Sequence, residues 1–75
     1  MNVKSEIYKS IRETLELDYK KIDHSVPWQE LGVESFDMVE LILSLREKFG
    51  IKVNSGDLEK ITTLNDLIDF VEHHR

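Results

Sequence analysis

Apolar residues recur every four positions from the start of the chain: Val3, Ile7, Ile11 and Leu15, with Tyr8 beside them. At about 100° per residue these fall on one face, so the spacing predicts an amphipathic helix over 3–16. The period is lost from Leu17 to Val33, where Pro27 and Gly32 interrupt the chain. A long loop is predicted there, held to the core by Val26, Trp28, Leu31 and Val33; such loops in small domains often carry function. Periodicity returns over 36–49. Met38, Ile42, Leu45 and Phe49 share one narrow arc, flanked by Leu41 and Val39, while Asp37, Glu40, Ser44, Glu47 and Lys48 take the opposite face. Phe36 and Leu43 lie between these two faces, with Val39 separating them from the core. Gly50 is a natural stop. Ile51 to Val53 reads as extended, Asn54-Ser55-Gly56 as a turn and 57–61 as a short helical turn. The last helix opens on Thr63 as N-cap with Asp66 three residues on, and buries Leu64, Leu67, Ile68 and Val71. His73, His74 and Arg75 sit at its negative end. Three amphipathic helices, one short helix and no strand pattern predict an all-α fold, a small antiparallel four-helix bundle in a single domain over 1–75.

Composition narrows the class. A chain of 75 residues buries only roughly 60% of its unfolded surface, so its core is small. It has no cysteine, which excludes a disulfide scaffold, a thiolate zinc site and a cysteine nucleophile. Apolar residues make up 40% of the chain, enough for a packed core despite 33% charged residues. No apolar run approaches the ~18 residues of a membrane span, and the charged N-terminal stretch is unlike a signal peptide. A monomeric, cytoplasmic domain is expected. The net charge of −5 argues against a nucleic-acid partner. Its distribution is more informative than its size. Residues 29–45 contain Glu30, Glu34, Asp37 and Glu40 with no base, so −4 of the −5 lies in that segment. A one-sign segment is either a solvated helix face or an address for basic partners.

Candidate chemistry is sparse. His24 stands alone in the loop, His73 and His74 end the chain, and no spacing of His, Asp and Glu suits a metal. Ser35, His24 and Asp37 make a triad on paper, but so short a chain lacks the volume for both a triad and a substrate pocket. No catalytic and no metal-binding residue is expected, and the chain is read as a non-enzyme. Ser35 has two readings. It suits a helix N-cap. The same position, an exposed hydroxyl at the positive end of a helix, equally suits a covalently attached phosphate.

The run Glu30-Leu-Gly-Val-Glu-Ser35-Phe-Asp-Met-Val-Glu-Leu-Ile42 resembles the phosphopantetheine attachment motif of acyl carrier proteins. That motif is written Leu-Gly-x-Asp-Ser-Leu, followed by an acidic helix with Val-Glu-Leu. The resemblance continues through Glu47-Lys-Phe-Gly-Ile51, through Glu59-Lys-Ile-Thr-Thr-Leu-Asn-Asp-Leu67 and at Phe70-Val71, so it covers essentially the whole chain. It implies a four-helix carrier without catalytic activity. A separate phosphopantetheinyl transferase, using coenzyme A and magnesium, would attach 4′-phosphopantetheine to the Ser35 hydroxyl. The arm's thiol would then hold acyl groups as thioesters for fatty-acid, polyketide or related biosynthesis. Glu34, Asp37, Glu40 and Glu47 match acidic positions that meet basic patches on acyl-loading and acyl-processing enzymes. Phe36, Val39 and Leu43 match apolar positions packed at the same interfaces.

Three departures bear on cargo and partner. Glu34 replaces the usual Asp, keeping the charge one methylene further out. Phe36 replaces the common Leu, as in D-alanyl carrier proteins, so an aminoacyl carrier is the alternative. Arg46 stands where fatty-acid carriers often have an acid, which bears on partner choice. An unmodified acidic adaptor, binding partners through the second helix alone, is the alternative of another class.

Overall fold

A computed structural model describes residues 2–74. Its helices are α1 (Val3–Leu15), α2 (Ser35–Phe49), α3 (Ser55–Lys60) and α4 (Leu64–His74), and no strand occurs among the described residues. Asn2 caps α1, its Oδ1 accepting from the Ser5 N–H at 3.2 Å. The helix ends on Glu16, a non-glycine residue at φ +56°, whose N–H donates to the Arg12 carbonyl. Gly50 ends α2 in the same left-handed conformation, at φ +65°, without steric cost.

Ile7, Ile11, Leu41, Leu45, Leu64, Leu67 and Val71 are fully buried, so α1, α2 and α4 all contribute to one core. The expected faces of α1 and α4 are found as read. The arc of α2 is rotated: Leu41, placed on the flank, is fully buried, whereas Met38 and Phe49 are half-buried and Val39 is exposed. Lys48, expected on the solvent face, turns toward α1. Its Nζ donates to Ser10 Oγ at 2.9 Å and lies 4.0 Å from Glu6 Oε2. A long basic side chain can lay its stem along apolar surface and still reach such an acceptor. Ser10 is fully buried, and this is how its hydroxyl is satisfied. Ser10→Ala is expected to lower stability by about 1 kcal/mol, a drop of roughly 4–8 °C in Tm, readable by thermal circular dichroism. An unchanged Tm would show that the α1–α2 link contributes nothing.

One local boundary differs from the sequence reading. Asn54 and Asp57 form a reciprocal capping box, with Asn54 Oδ1 accepting from the Asp57 N–H at 2.8 Å and Asp57 Oδ2 from the Asn54 N–H at 3.2 Å. That box starts α3 at Ser55, so Ser55 and Gly56 are helical rather than a turn. In α4 the expected Thr63 and Asp66 box is present, with Asp66 N–H donating to Thr63 Oγ1 at 3.1 Å. Asp66 also accepts from Thr62 Oγ1 at 2.8 Å, and this bond first, then the Thr62 and Thr63 backbone and side-chain donors, holds its carboxyl below the ordinary carboxylate range. A depressed carboxylate stabilises the fold at neutral pH, and that contribution is lost as the pH falls through its lowered value. At the far end, the His73 and His74 rings each bond to the carbonyl four residues back, those of Asp69 and Phe70. Arg75 lies outside the described residues.

The stretch from Leu17 to Glu34 is not featureless. It contains two 3₁₀ turns, Tyr19–Lys21 and Trp28–Leu31. Tyr19 stacks on Tyr8 of α1 with ring centroids 3.7 Å apart. The chain is also tied to the α3–α4 junction: the Trp28 N–H donates to the Thr62 carbonyl at 3.0 Å, and the Asn65 N–H to the His24 carbonyl at 3.0 Å. These bonds fix the approach to α2.

Candidate functional site

Gly32, at φ +81°, turns the chain out of the second 3₁₀ turn and toward α2. Val33 is buried and its N–H donates to the Trp28 carbonyl at 3.1 Å, which anchors the segment just before the helix. Glu34 is the N-cap, with extended backbone. Its N–H donates to Asp37 Oδ2 at 3.2 Å. Ser35 is therefore the first helical residue, and the reading of Ser35 as N-cap is corrected. The Asp three residues after Glu34 decides the boundary. Among the described residues no hydrogen bond engages the Ser35 hydroxyl, and the side chain is exposed.

The first rung of the helical ladder is the Met38 N–H to the Glu34 carbonyl, at 3.1 Å. The N–H groups of Ser35 and Phe36 thus have no acceptor within the helix and point out of its positive end. An anionic phosphodiester on Ser35 Oγ fits there, because those donors and the helix dipole both favour negative charge. A groove of about 660 Å³ opens beside Ser35, walled by Trp28, Val33, Met38, Val39, Leu58 and Ile61. The residues present fit a long, partly apolar substituent on this serine.

The rest of α2 has an outward face. Phe36, Val39 and Leu43 are 69%, 43% and 50% exposed, and their spacing of three and four residues sets them in a row. Glu34, Glu40 and Glu47 are exposed acids on the same helix, and Arg46 is an exposed base. Asp37 differs from the other acids. It is half-buried and its carboxylate caps the helix, so it is not the free solvent-facing charge the wheel suggested.

The paper triad is not assembled. The His24 ring donates through Nε2 to the Tyr19 carbonyl at 2.8 Å, and Asp37 is engaged with Glu34. Among the described residues no group of His, Asp and Glu is arranged to hold a metal. No described helix is long and apolar enough to cross a membrane. Sequence reasoning missed the capping role of Asp37, which the Glu-x-x-Asp spacing over 34–37 could have signalled. It also passed over the position of Trp28 in the wall of the groove, for which the sequence carries no signal.

A family model described as "Phosphopantetheine attachment site" matches residues 5–71. An acyl carrier protein of Buchnera aphidicola subsp. Acyrthosiphon pisum (strain 5A) is 37% identical over 73 residues, covering 96% of this chain and 91% of that protein. One from Thermotoga maritima is 33% identical over 69 residues, covering 91% and 85%. The crystal structure of an acyl carrier protein from Thermotoga maritima superposes with a TM-score of 0.79 at 24% identity, over 96% of this chain and 85% of that one, a likeness of fold. The relatives are carriers rather than enzymes, and their shared attachment domain works through a covalently attached 4′-phosphopantetheine. Matched over residues 5–71 and across more than nine tenths of its length, the chain belongs to the acyl carrier protein family of phosphopantetheine-attachment domains.

Proposed function

We propose that Ser35 Oγ is the attachment atom for 4′-phosphopantetheine, and that residues 1–75 act as one carrier domain for acyl intermediates of fatty-acid, polyketide or related biosynthesis. When bound, the arm supplies a terminal thiol that holds an acyl group as a thioester. The observation that carries this reading is the unengaged, exposed hydroxyl at the first residue of α2, beside an apolar groove. The start of α2 holds the serine in position, because Val33 is buried behind it and Asp37 ties the backbone in front. The groove favours an acyl chain over the aminoacyl alternative, since a single small amino acid needs no apolar wall of that extent. It also counts against the unmodified adaptor, which needs neither groove nor hydroxyl. The test is incubation with coenzyme A, magnesium and a broad-specificity phosphopantetheinyl transferase. One phosphopantetheine increment in the intact mass, mapped by peptide analysis to Ser35, is expected. No increment, or one on another residue, overturns the assignment. Loading of the product by an amino-acid-adenylating ligase, and by no acyl-loading enzyme, would replace the acyl cargo with an aminoacyl one.

The outward face of α2 is proposed to meet basic patches on the transferase and on acyl-loading and acyl-processing enzymes. Phe36, Val39 and Leu43 supply the apolar contact, and Glu34, Asp37, Glu40 and Glu47 the charge, in a monomer working in the cytoplasm. An apolar strip rimmed by one sign of charge suits partners that must bind and leave. Glu40→Lys is the clean charge test, because Glu40 is exposed and holds no other described group. Modification is expected to slow about three- to tenfold at low salt, with the difference shrinking as salt is raised. Melting should stay within about 0.5 kcal/mol of the parent chain. Equal rates at low salt would remove Glu40 from the docking face. Asp37→Lys serves less well, since losing the cap by itself costs about 0.5–2 kcal/mol.

A further inference from the structure

Trp28 is 4% exposed, and its indole Nε1 is a buried side-chain polar atom with no hydrogen-bond partner among the described residues. The same side chain walls the groove beside Ser35. Its backbone is fixed on both sides, the N–H by the Thr62 carbonyl at 3.0 Å and the carbonyl by the Val33 N–H at 3.1 Å, so the ring is held where it is. A donor buried without an acceptor is destabilising, and a phenylalanine would fill most of this space without that cost. Around it the lining is mainly apolar, through Val33, Met38, Leu58 and Ile61, with the polar side chains Gln29, Glu59 and Thr62 among them. A buried donor without a partner in such a wall fixes the register of whatever lies in the groove, as the few polar groups of apolar pockets generally do.

We propose that Trp28 is a specificity-determining residue of the groove: its indole N–H donates to a carbonyl oxygen on the chain that runs inward from Ser35. This rests on the attachment reading above. The oxygen belongs either to an amide of the arm or to a carbonyl of the cargo, and both present the same lone pairs. Because Nε1 is itself shielded from solvent, seating the chain against it requires the wall to yield. Helix α3 is the element that can do so, having only six residues, none of them fully buried.

Trp28 is the chain's one tryptophan, so its indole gives a single cross-peak in a ¹H–¹⁵N spectrum. The experiment compares four states of the full chain, each verified by intact mass: unmodified, carrying the bare arm, carrying a saturated acyl arm and carrying a 3-oxoacyl arm. A hydrogen bond moves the indole proton downfield and slows its exchange with solvent. Both changes on adding the bare arm assign the acceptor to an arm amide. Their first appearance with the saturated chain assigns it to the thioester carbonyl, and with the 3-oxo chain alone to the cargo. In the state that shows the bond, Trp28→Phe is expected to raise the rate of thioester or arm exposure, read by hydroxylamine cleavage of the thioester or by alkylation of the bare arm's thiol, about two- to tenfold, the worth of one hydrogen bond. An indole proton that is already protected in the unmodified chain and unchanged in the other three states overturns the inference, because a water would then be its partner. That outcome leaves attachment intact, since the mass increment is present. Absence of the increment overturns the attachment reading and this inference together.

Discussion

Ser35→Ala is expected to abolish phosphopantetheine attachment completely while leaving the fold standing. The hydroxyl is exposed and no described group bonds to it. The start of α2 is secured by other means, through the Glu34 N–H to Asp37 Oδ2 and the Met38 N–H to the Glu34 carbonyl. Alanine is well tolerated at a first helical position, so the change in stability should stay within about 0.5 kcal/mol. This separates the two readings the sequence leaves open. Loss of a serine N-cap costs typically about 1 kcal/mol. In a domain of this size that is a fall of roughly 4–8 °C in Tm. Intact mass after incubation with coenzyme A and the transferase, together with a melting curve, gives both answers on one sample. A remaining increment moves the arm to another residue. A fall of several degrees returns Ser35 to a structural role.

The parts of the fold that were legible in the sequence are those governed by local rules. Helices α1 and α4 each bury one apolar stripe at helical spacing, and Thr63 with Asp66 announces the start of α4. The arc of α2 was not legible to the same degree, because that helix carries apolar residues on two faces. Periodicity cannot tell that Leu41 is fully buried while Phe36, Val39 and Leu43 remain outside; the neighbouring helix decides it. Lys48 reads as a solvated charge until α1 supplies Ser10 and Glu6. The loop's order comes from carbonyls distant in sequence, such as Thr62 for Trp28, which no local pattern announces. At the site, the acidic segment and Ser35 stood out from composition and motif. The division of labour between Glu34, Asp37 and Ser35 did not, since glutamate is an uncommon N-cap and serine a favoured one.

Leu41→Ala and Leu43→Ala lie two residues apart on α2 and are expected to have opposite consequences. Leu41 is fully buried, whereas Leu43 is 50% exposed. Truncating a fully buried leucine removes its transfer free energy and leaves a cavity, at a cost of about 2–5 kcal/mol. A domain of this length has a total stability of only roughly 4–11 kcal/mol. Leu41→Ala should therefore lower Tm by roughly 8–40 °C. Leu43→Ala should cost about 1 kcal/mol or less, since half of its surface is already in water. Their effects on modification by the transferase then separate fold from docking. At a temperature where both variants are folded, Leu41→Ala should be modified at close to the parent rate, because its side chain points away from the partner. Leu43→Ala should be slower, having lost part of the apolar strip. Thermal melts by circular dichroism and initial rates of modification test the pair. Equal losses of stability would mean that the inner and outer faces of α2 are wrongly placed. Equal rates of modification in Leu43→Ala and the parent chain would confine the docking surface to Phe36, Val39 and the acids beside them.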